Sequence, residues 1–457
     1  MPNQTDRRSA ARYQLSYGLL LLTLVPCVVL LAMGLAAGRR EWVASGQLQE
    51  KLKPLRAAGL PLGNATMSQR FRNVASTEGT AAWSRISMLC NSFRWQTVDL
   101  LPIVGAQELP ATIDPDTPWE DDERVGEYLA AIKPVLNLIH TAADVSKPVW
   151  QPIEFRGIQT DLTPLQNARS ISRILRLEAE HALFHRQADR ALQAIDGLQA
   201  NAAAYDWRLF LVGELVHLAL YQLYLDTIGR SLSVDVWNQE QINSLMTRLQ
   251  APYPVTQRWR ECLATEQLMV IATLENNATA VRPLANLMGG GVARRLPLWF
   301  TPQARLELYN TYDELQSLAD GGAEQLSTRA RTWDREFTQK TGVDGLSLAG
   351  LFLPATQQFA AALNRASDKR KMALTAVAIK YFKLKHERWP EKLGELVQVG
   401  LPQTDWTLRE QGALGYEITE TGTEVFCYSA DQSEQQPSNP TAIQREAGVA
   451  YETIPIQ

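Results

Sequence analysis

Cysteine is scarce in this chain of 457 residues, which contains only four. Cys27 lies in an N-terminal hydrophobic run, and Cys90, Cys262 and Cys427 are widely spaced, with no Cys-x-x-Cys pair. The three cysteines outside the run allow one disulfide at most. They therefore predict neither a structural zinc site nor a disulfide framework.

An excess of positive charge is also missing. Residues 41–457 carry 40 Lys or Arg and 48 Asp or Glu, a formal net charge of −8. Because nucleic-acid-binding proteins present basic surfaces, we expect no nucleic-acid partner. The sequence also lacks a nucleophile elbow, an HExxH motif, a Walker A loop and a dinucleotide fingerprint, so no catalytic activity is evident from its motifs. Its composition, 45% hydrophobic and 21% charged, is that of a folded globular protein.

One long hydrophobic run is present, from Tyr13 to Gly38, with 26 residues and no charge. Arginines flank it at positions 7, 8 and 12 on one side and at 39 and 40 on the other. As a helix it would reach roughly 39 Å, whereas the hydrocarbon layer of a bilayer is about 30 Å thick. A cleaved signal peptide has an apolar core of only about 7–15 residues, although Ala36-Ala37-Gly38 could serve as a cleavage site. We therefore predict an uncleaved single transmembrane helix at 13–38, in contact with membrane lipid.

The orientation of this helix is not decided by charge, because both flanks are basic. Long domains cross membranes largely regardless of their charge. We therefore expect residues 1–12 to form a cytoplasmic tail and the bulk of the chain to be extracytoplasmic.

The remainder of the chain is predicted to be mainly α-helical. Thr-Pro pairs at Thr117, Thr163 and Thr301 are typical helix starts, since Thr can cap the helix and Pro fits its first position. Apolar residues recur at three- and four-residue steps in 165–186 and again in 191–204, which predicts a helical hairpin. This hairpin is similar to one tetratricopeptide-type unit, although no second copy follows at the required period.

Further helices are predicted downstream. Asp206 is placed to cap a buried helix over 209–225, which is too short and too polar in its middle for a second membrane span. The remaining predicted helices cover 239–249, 260–274 and 351–386. The triple glycine 289–291 lacks the Lys-Ser/Thr of a phosphate-binding loop and is interpreted as a hinge or loop.

Acidic residues cluster between Asp114 and Glu123. One interpretation is a calcium-binding loop. The other is a set of carboxylates that complements the N-terminus of the helix predicted at Thr117. The EF-hand pattern with its central glycine is missing, which favours the second interpretation.

Two Glu-x-x-His pairs form the candidate metal site. Glu178 and His181, and likewise Glu214 and His217, have the i, i+3 spacing that places a carboxylate and an imidazole side by side on a helix, and His185 extends the first face. Di-iron helical bundles use two such pairs, but they also need two further glutamates that the sequence does not identify. The competing interpretation is structural: Glu214 and His217 lie in an apolar helix and could satisfy each other as a buried pair. No other cofactor is indicated.

The C-terminal part changes character. Residues 414–420 and 423–429 alternate in polarity around Thr421-Gly422, which predicts a β-hairpin. Before it come a helix ending at Tyr381, the stretch 386–390 (His-Glu-Arg-Trp-Pro), Leu393 with Leu396, and then Pro402. This order resembles the soluble module of the major pseudopilins of type II secretion.

The chain as a whole resembles a bacterial family of single-span membrane proteins with helical ectodomains and this C-terminal module, a family with no established activity. Glu387 and Trp389 stand where the pseudopilin pattern has Gly and Tyr, and residues 428–433 lack the Gly-Asp-Gly loop, so calcium binding is not implied. The N-terminus also lacks the prepilin motif. The resemblance therefore implies a resident membrane protein and not a filament subunit.

These observations divide the chain into six parts. They are a tail (1–12), a transmembrane helix (13–38), a helical membrane-proximal region (39–160), a helical-hairpin domain (161–372), a pseudopilin-like α+β module (373–432) and a loosely ordered tail (433–457). The first functional hypothesis is a membrane-anchored binding or scaffold protein with an unidentified protein partner. The alternatives are a metal-dependent enzyme built on the Glu-x-x-His pairs and an accessory component of a secretion or pilus-like apparatus.

Overall fold

A computed structural model describes residues 4–60, 62–74, 77–92, 98–107, 109, 114–144, 155–156, 160–206, 211–276, 301–341, 356–407, 414–419, 422–428 and 451–457. Within these ranges the protein is mainly helical, as predicted. The helices are α1 (Gln4–Ala57), α2 (Asn64–Val74), α3 (Thr77–Ser92), α4 (Asp122–Ala131), α5 (Lys133–Ala143), α6 (Thr163–Phe184), α7 (Ala188–Ala204), α8 (Leu211–Ser231), α9 (Gln239–Leu249), α10 (Val255–Asn276), α11 (Pro302–Ser317), α12 (Ala323–Thr341) and α13 (Thr356–His386). Short 3₁₀ helices lie at Val98–Leu100, Leu318–Gly321, Leu393–Val399 and Gln403–Asp405.

A small antiparallel sheet completes the fold. It contains β1 (Gly415–Thr419), β2 (Gly422–Tyr428) and β3 (Tyr451–Ile456), in the order β1-β2-β3. The predicted hairpin is confirmed, with Tyr416 opposite Val425. The prediction of a loosely ordered tail is wrong for residues 451–456. These residues pair with β2 and bury Ile454 and Ile456, a long-range contact that the polar composition of the tail concealed. The triple glycine and residues 429–450 lie outside the described ranges.

Two hydrophobic cores form, and the three helices α8, α10 and α13 contribute to both of them. The larger core is built from α2 to α9, two residues of α10, the second half of α13 and the sheet. The smaller one contains the end of α1, α10, α11, α12 and the first half of α13. The helix α8 places Leu218 in the smaller core and Leu220 in the larger one. Because α13 runs unbroken through residue 372, the predicted pseudopilin-like module begins inside a helix that both cores share.

The helix α1 joins the predicted membrane segment to the body. It is continuous from Gln4 to Ala57, and the side chains of residues 4–27 lie outside the described part. Ala44, Leu48 and Leu52 are buried at α1's end. In the part of the chain whose side chains are described, no helix is long and apolar enough to cross a membrane.

Helix starts show where local signals succeed and fail. Thr301 caps α11 as predicted, since its Oγ1 accepts a hydrogen bond from the Ala304 amide at 3.3 Å. The helix predicted to begin at Thr117 begins instead at Asp122, because the Thr117 hydroxyl donates to Asp114 Oδ2 at 2.6 Å and holds a turn. At the third start, Thr163 is the first residue of α6 and not the capping residue before it. Its amide donates a hydrogen bond to Asp161 Oδ1 at 2.9 Å.

Candidate functional site

Two predicted histidines converge with an aspartate from a neighbouring helix. The i, i+4 spacing of His181 and His185 puts their rings 4.5 Å apart at the end of α6. Asp122 opens α4, and its Oδ1 lies 2.8 Å from His185 Nε2 and 3.4 Å from His181 Nε2. These three atoms all lie within 4.8 Å of one another. We call this group the Asp-His-His cluster.

The donor set of the Asp-His-His cluster suits a transition metal. Two imidazole nitrogens and one carboxylate oxygen are ligands of zinc and of non-haem iron, and three protein ligands leave coordination positions open. The pKa of His181 is lowered to about 4, chiefly by burial and then by His185 and Arg190, so its ring is neutral at pH 7. A neutral ring is the form that binds a metal.

The tautomer of His181 works against metal binding. The Nη1 of Arg190 lies 3.5 Å from His181 Nδ1, and a guanidinium only donates hydrogen bonds. The Nδ1 atom is therefore the acceptor, and the proton of the neutral ring lies on Nε2, which faces Asp122. Before His181 Nε2 could bind a metal at the Asp-His-His cluster, that proton would have to move from Nε2 to Nδ1, where Arg190 now donates.

Glu178 lies one helical turn away and has other partners. Its Oε2 is 3.0 Å from Nε2 of His140, and its Oε1 accepts a hydrogen bond from Arg190 Nε at 3.4 Å. Both Glu178 and His140 are buried. His140 was missed in the sequence because its partner lies 38 residues away on another helix, so no local spacing signals the contact.

The second predicted pair, Glu214 and His217, does not join the Asp-His-His cluster. Glu214 accepts a hydrogen bond from Arg258 Nη1 at 2.9 Å and from the Tyr253 hydroxyl at 3.4 Å. His217 Nδ1 donates to the Ala202 carbonyl at 3.1 Å. The interpretation of Glu214 and His217 as a pair that satisfies itself is therefore wrong, because each side chain has partners on other elements.

Arg258 is the centre of a buried charge network at the start of α8. Besides Glu214, it binds both carboxylate oxygens of Asp206, at 2.8 and 2.7 Å. The predicted cap of α8 by Asp206 involves residues 207–210, which lie outside the described ranges. At the start of α8 the buried carboxylate of Glu266 accepts a hydrogen bond from the Leu211 amide at 3.0 Å, and burial raises the pKa of Glu266 to about 7.

An open cavity of about 530 Å³ lies between α6 and α8. The α6 helix contributes Arg169, Arg173 and Arg176, and α8 contributes apolar residues that include Ala219 and Leu223. The segment 103–109 completes the lining. The spacing of the arginines places them on the face of α6 opposite its buried apolar stripe. We call this feature the α6–α8 cavity. It was not predicted, because the sequence shows the arginines but not the apolar wall that faces them.

The thiols carry no evident chemistry. Cys90 and Cys262 are free, and burial raises the pKa of each, to about 11 for Cys90. The side chain of Cys427 lies outside the described part. A thiol with a raised pKa is a poor nucleophile near neutral pH.

No family model, no curated protein and no solved structure matches this chain. Its function therefore has to be inferred from its own residues.

Proposed function

We propose that this chain is a non-enzymatic binding protein anchored in a membrane by residues 13–38, with its helical body on the extracytoplasmic side. The observation that carries the anchor is the exposure of residues 28–40 of α1 on every face. Residues 28–40 are exposed without interruption, and Val28, Leu30, Leu31, Met33 and Leu35 are 57 to 68% exposed. A helix that is apolar all round belongs in a bilayer or a protein core. In the described part of the chain nothing covers this stretch, so a bilayer is the better explanation.

The residues that follow the apolar stretch fit a membrane–water interface. Arg39 and Arg40 are exposed, and Trp42 is 78% exposed. Tryptophan and basic residues concentrate at the level of the lipid headgroups. These residues support an end of the span close to Gly38.

The body would then lie close to the bilayer. Only about 6 Å of helix separates Arg40 from the buried Ala44. Glu41 accepts a hydrogen bond from the Gln303 amide at 3.2 Å, and Lys51 binds Asp313, so α1 is fixed to α11. This supports a body that is held rigidly and not on a flexible stalk.

The binding role is supported by the helical body. The α6–α7 hairpin, interpreted as tetratricopeptide-like, buries one face and leaves another for partners. The order of α13, the 3₁₀ helix with Leu393 and Leu396, and the β1–β2 hairpin supports a relation to the pseudopilin module. An accessory role in a secretion apparatus would be compatible with this anchored arrangement, and its protein partner would come from that machinery.

Two measurements test the anchor and its orientation. The full chain should stay in the membrane pellet after alkaline carbonate extraction, and alkaline phosphatase fused after Gln457 should be active. Val28→Arg should reduce insertion, because an arginine near the centre of a span costs about 3 kcal/mol, whereas the matched Val28→Ala should not. A chain that is released by carbonate, or an alkaline phosphatase fusion that is made at normal levels but is inactive, would refute the proposal.

A metal-dependent function is the second candidate, and the Asp-His-His cluster is the observation that favours it. The test is elemental analysis of the full chain purified without chelators. About one equivalent of zinc, iron or manganese that disappears in His185→Ala would support this function. A content that is unchanged in His185→Ala, or no metal at all, would reject it.

A further inference from the structure

The α6–α8 cavity combines a cationic side with an apolar side. Arg169 and Arg173 are exposed and Arg176 is half-buried. Ala219, Leu220 and Leu223 of α8 form the apolar side, and the rest of the lining comes from Ile103, Gln107 and Leu109. Its volume of about 530 Å³ is in the range of small-molecule sites. Arg176 also lines a second cavity, of about 240 Å³, that includes Leu225 and Met372.

Positive charge is in excess at the α6–α8 cavity. Arg176 Nε lies 3.5 Å from Glu180 Oε1, but the same oxygen accepts a shorter hydrogen bond, of 2.8 Å, from Arg230. Arg169 contacts the neutral Gln166 at 3.4 Å. Among the described residues, Arg169 and Arg173 have no ion pair. Of the three guanidinium groups only that of Arg176 contacts a carboxylate, which it shares with Arg230, so a bound anion would balance the excess positive charge.

The chemical class of the ligand follows from the cationic and the apolar side of the α6–α8 cavity. Guanidinium groups bind carboxylates and phosphates through paired hydrogen bonds. The α8 residues of the cavity lie in the middle of a helix, where the backbone N–H and C=O groups already bond to each other. The backbone of an extended acidic peptide would therefore find no hydrogen-bond partners on α8. An acyl chain needs no such partners and would cover Ala219 and Leu223.

We propose that the α6–α8 cavity binds a single-chain amphiphile with an acidic head group, its head on Arg169 and Arg173 and its chain against α8. This proposal rests on the proposed function as a membrane-anchored binding protein, since a bilayer is a source of such amphiphiles. It makes the chain a receptor for fatty-acid-like or lysophospholipid-like anions, and the head group is carboxylate or phosphate.

Photo-crosslinking in membranes that contain the full chain tests the proposal. The probe is a decanoic acid with a diazirine in its chain, and the matched probe is the corresponding decylamine. We expect the acid to label peptides that contain Leu109, Ala219 or Leu223, and the amine to label them much less. Unlabelled decanoate and decyl phosphate, added separately as competitors, identify which head group binds better.

Matched variants locate the head group and the chain. In Arg169→Gln/Arg173→Gln we expect labelling by the acid to fall by roughly tenfold or more. The control Arg331→Gln/Arg335→Gln removes two exposed arginines with the same i, i+4 spacing from α12, which does not line the cavity, and should label like the parent. Ala219→Trp fills the apolar side at an exposed position and should also reduce labelling while both arginines remain.

Equal labelling by acid and amine, or unchanged labelling in Arg169→Gln/Arg173→Gln, would overturn the proposal. Competition by an acidic peptide but not by decanoate would also overturn it, and would assign the cavity to a protein partner. Fractionation of the same membranes reports on the anchor independently. A soluble chain that is still labelled refutes the anchor alone, whereas an anchored chain without specific labelling refutes the cavity ligand alone.

Discussion

Replacing Arg258 with alanine should destabilise the protein far more than a surface mutation would. Glu214, its partner at 2.9 Å, is fully buried with 0% of its side chain exposed, and the Arg258 side chain is only 6% exposed. Arg258→Ala therefore leaves a carboxylate inside the protein without its cation. Asp206, the other partner, is 24% exposed and can be hydrated, so the cost arises mainly at Glu214.

The expected loss is about 3–5 kcal/mol of unfolding free energy, the range for removing one partner of a buried ion pair. The Tyr253 hydroxyl, 3.4 Å from Glu214, remains as a weak hydrogen-bond donor to the carboxylate. We therefore expect a loss of unfolding free energy near the lower end of this range, about 3 kcal/mol. The matched control is Arg260→Ala, two positions along α10. Arg260 pairs with Asp320 at 2.7 Å, but the two side chains are 48% and 66% exposed, and solvent screening limits such pairs to about 0–1 kcal/mol.

The assay is urea denaturation of the full chain, followed by tryptophan fluorescence. Trp259 reports on this region, because it is buried beside Arg258 and stacks on Phe359 at 5.4 Å. The double variant Glu214→Leu/Arg258→Met removes both charges and should recover at least half of the loss. If Arg258→Ala and Arg260→Ala had equal effects, or if the double variant were worse than Arg258→Ala, the reasoning from burial would be refuted.

Three further outcomes are expected. Glu266 keeps its proton up to a pKa of about 7 when folded but loses it near the ordinary glutamate pKa of 4.5 when unfolded, so the unfolding free energy should fall by up to about 3 kcal/mol as the pH rises between these values. Urea midpoints at pH 5 and 7.5 should therefore differ less in Glu266→Gln than in the parent. Arg190→Ala should free His181 Nδ1 for the proton and raise zinc affinity by roughly tenfold, measured by competition with a chromophoric chelator. Asn201→Ala should cost about 1–3 kcal/mol by calorimetric or urea unfolding, since its Nδ2 donates to the Ala168 carbonyl at 2.8 Å and to Ser172 Oγ at 2.7 Å.

Each of these three predictions has a result that would contradict it. An unchanged pH dependence in Glu266→Gln would mean that another group titrates. Equal or weaker zinc binding in Arg190→Ala would mean that the tautomer of His181 does not limit metal binding. A loss in Asn201→Ala no larger than that of the exposed Ser170→Ala would mean that the link between α6 and α7 is replaced by other contacts.

Much of the helical architecture could be predicted because it depends on local pattern. The predicted range 239–249 coincides with α9, the range 351–386 contains α13, and the α6–α7 hairpin follows the apolar periodicity. One failure is local, since the helix predicted at Thr117 begins at Asp122 and the Thr117 hydroxyl donates to Asp114, three residues before it. Local pattern also could not show contacts between distant residues, such as that of Asp206 with Arg258, 52 positions away.

The candidate site was predictable only in part. The spacing of His181 and His185 placed two imidazoles together, since the geometry of one helix fixes that distance. Asp122 joins them from α4, while Glu178 binds His140 of α5. These contacts depend on how α4 and α5 pack against α6.

The sequence alone therefore determined the class of the protein: its mainly helical content, its C-terminal hairpin and the uncharged run at 13–38. Each of these depends on residues close together in the chain. The tertiary structure decided which charges meet, that Glu214 and His217 have separate partners, that β3 completes the sheet and that three arginines face an apolar wall. The physical reason is that helix packing, and not spacing along one helix, brings residues tens to hundreds of positions apart into contact.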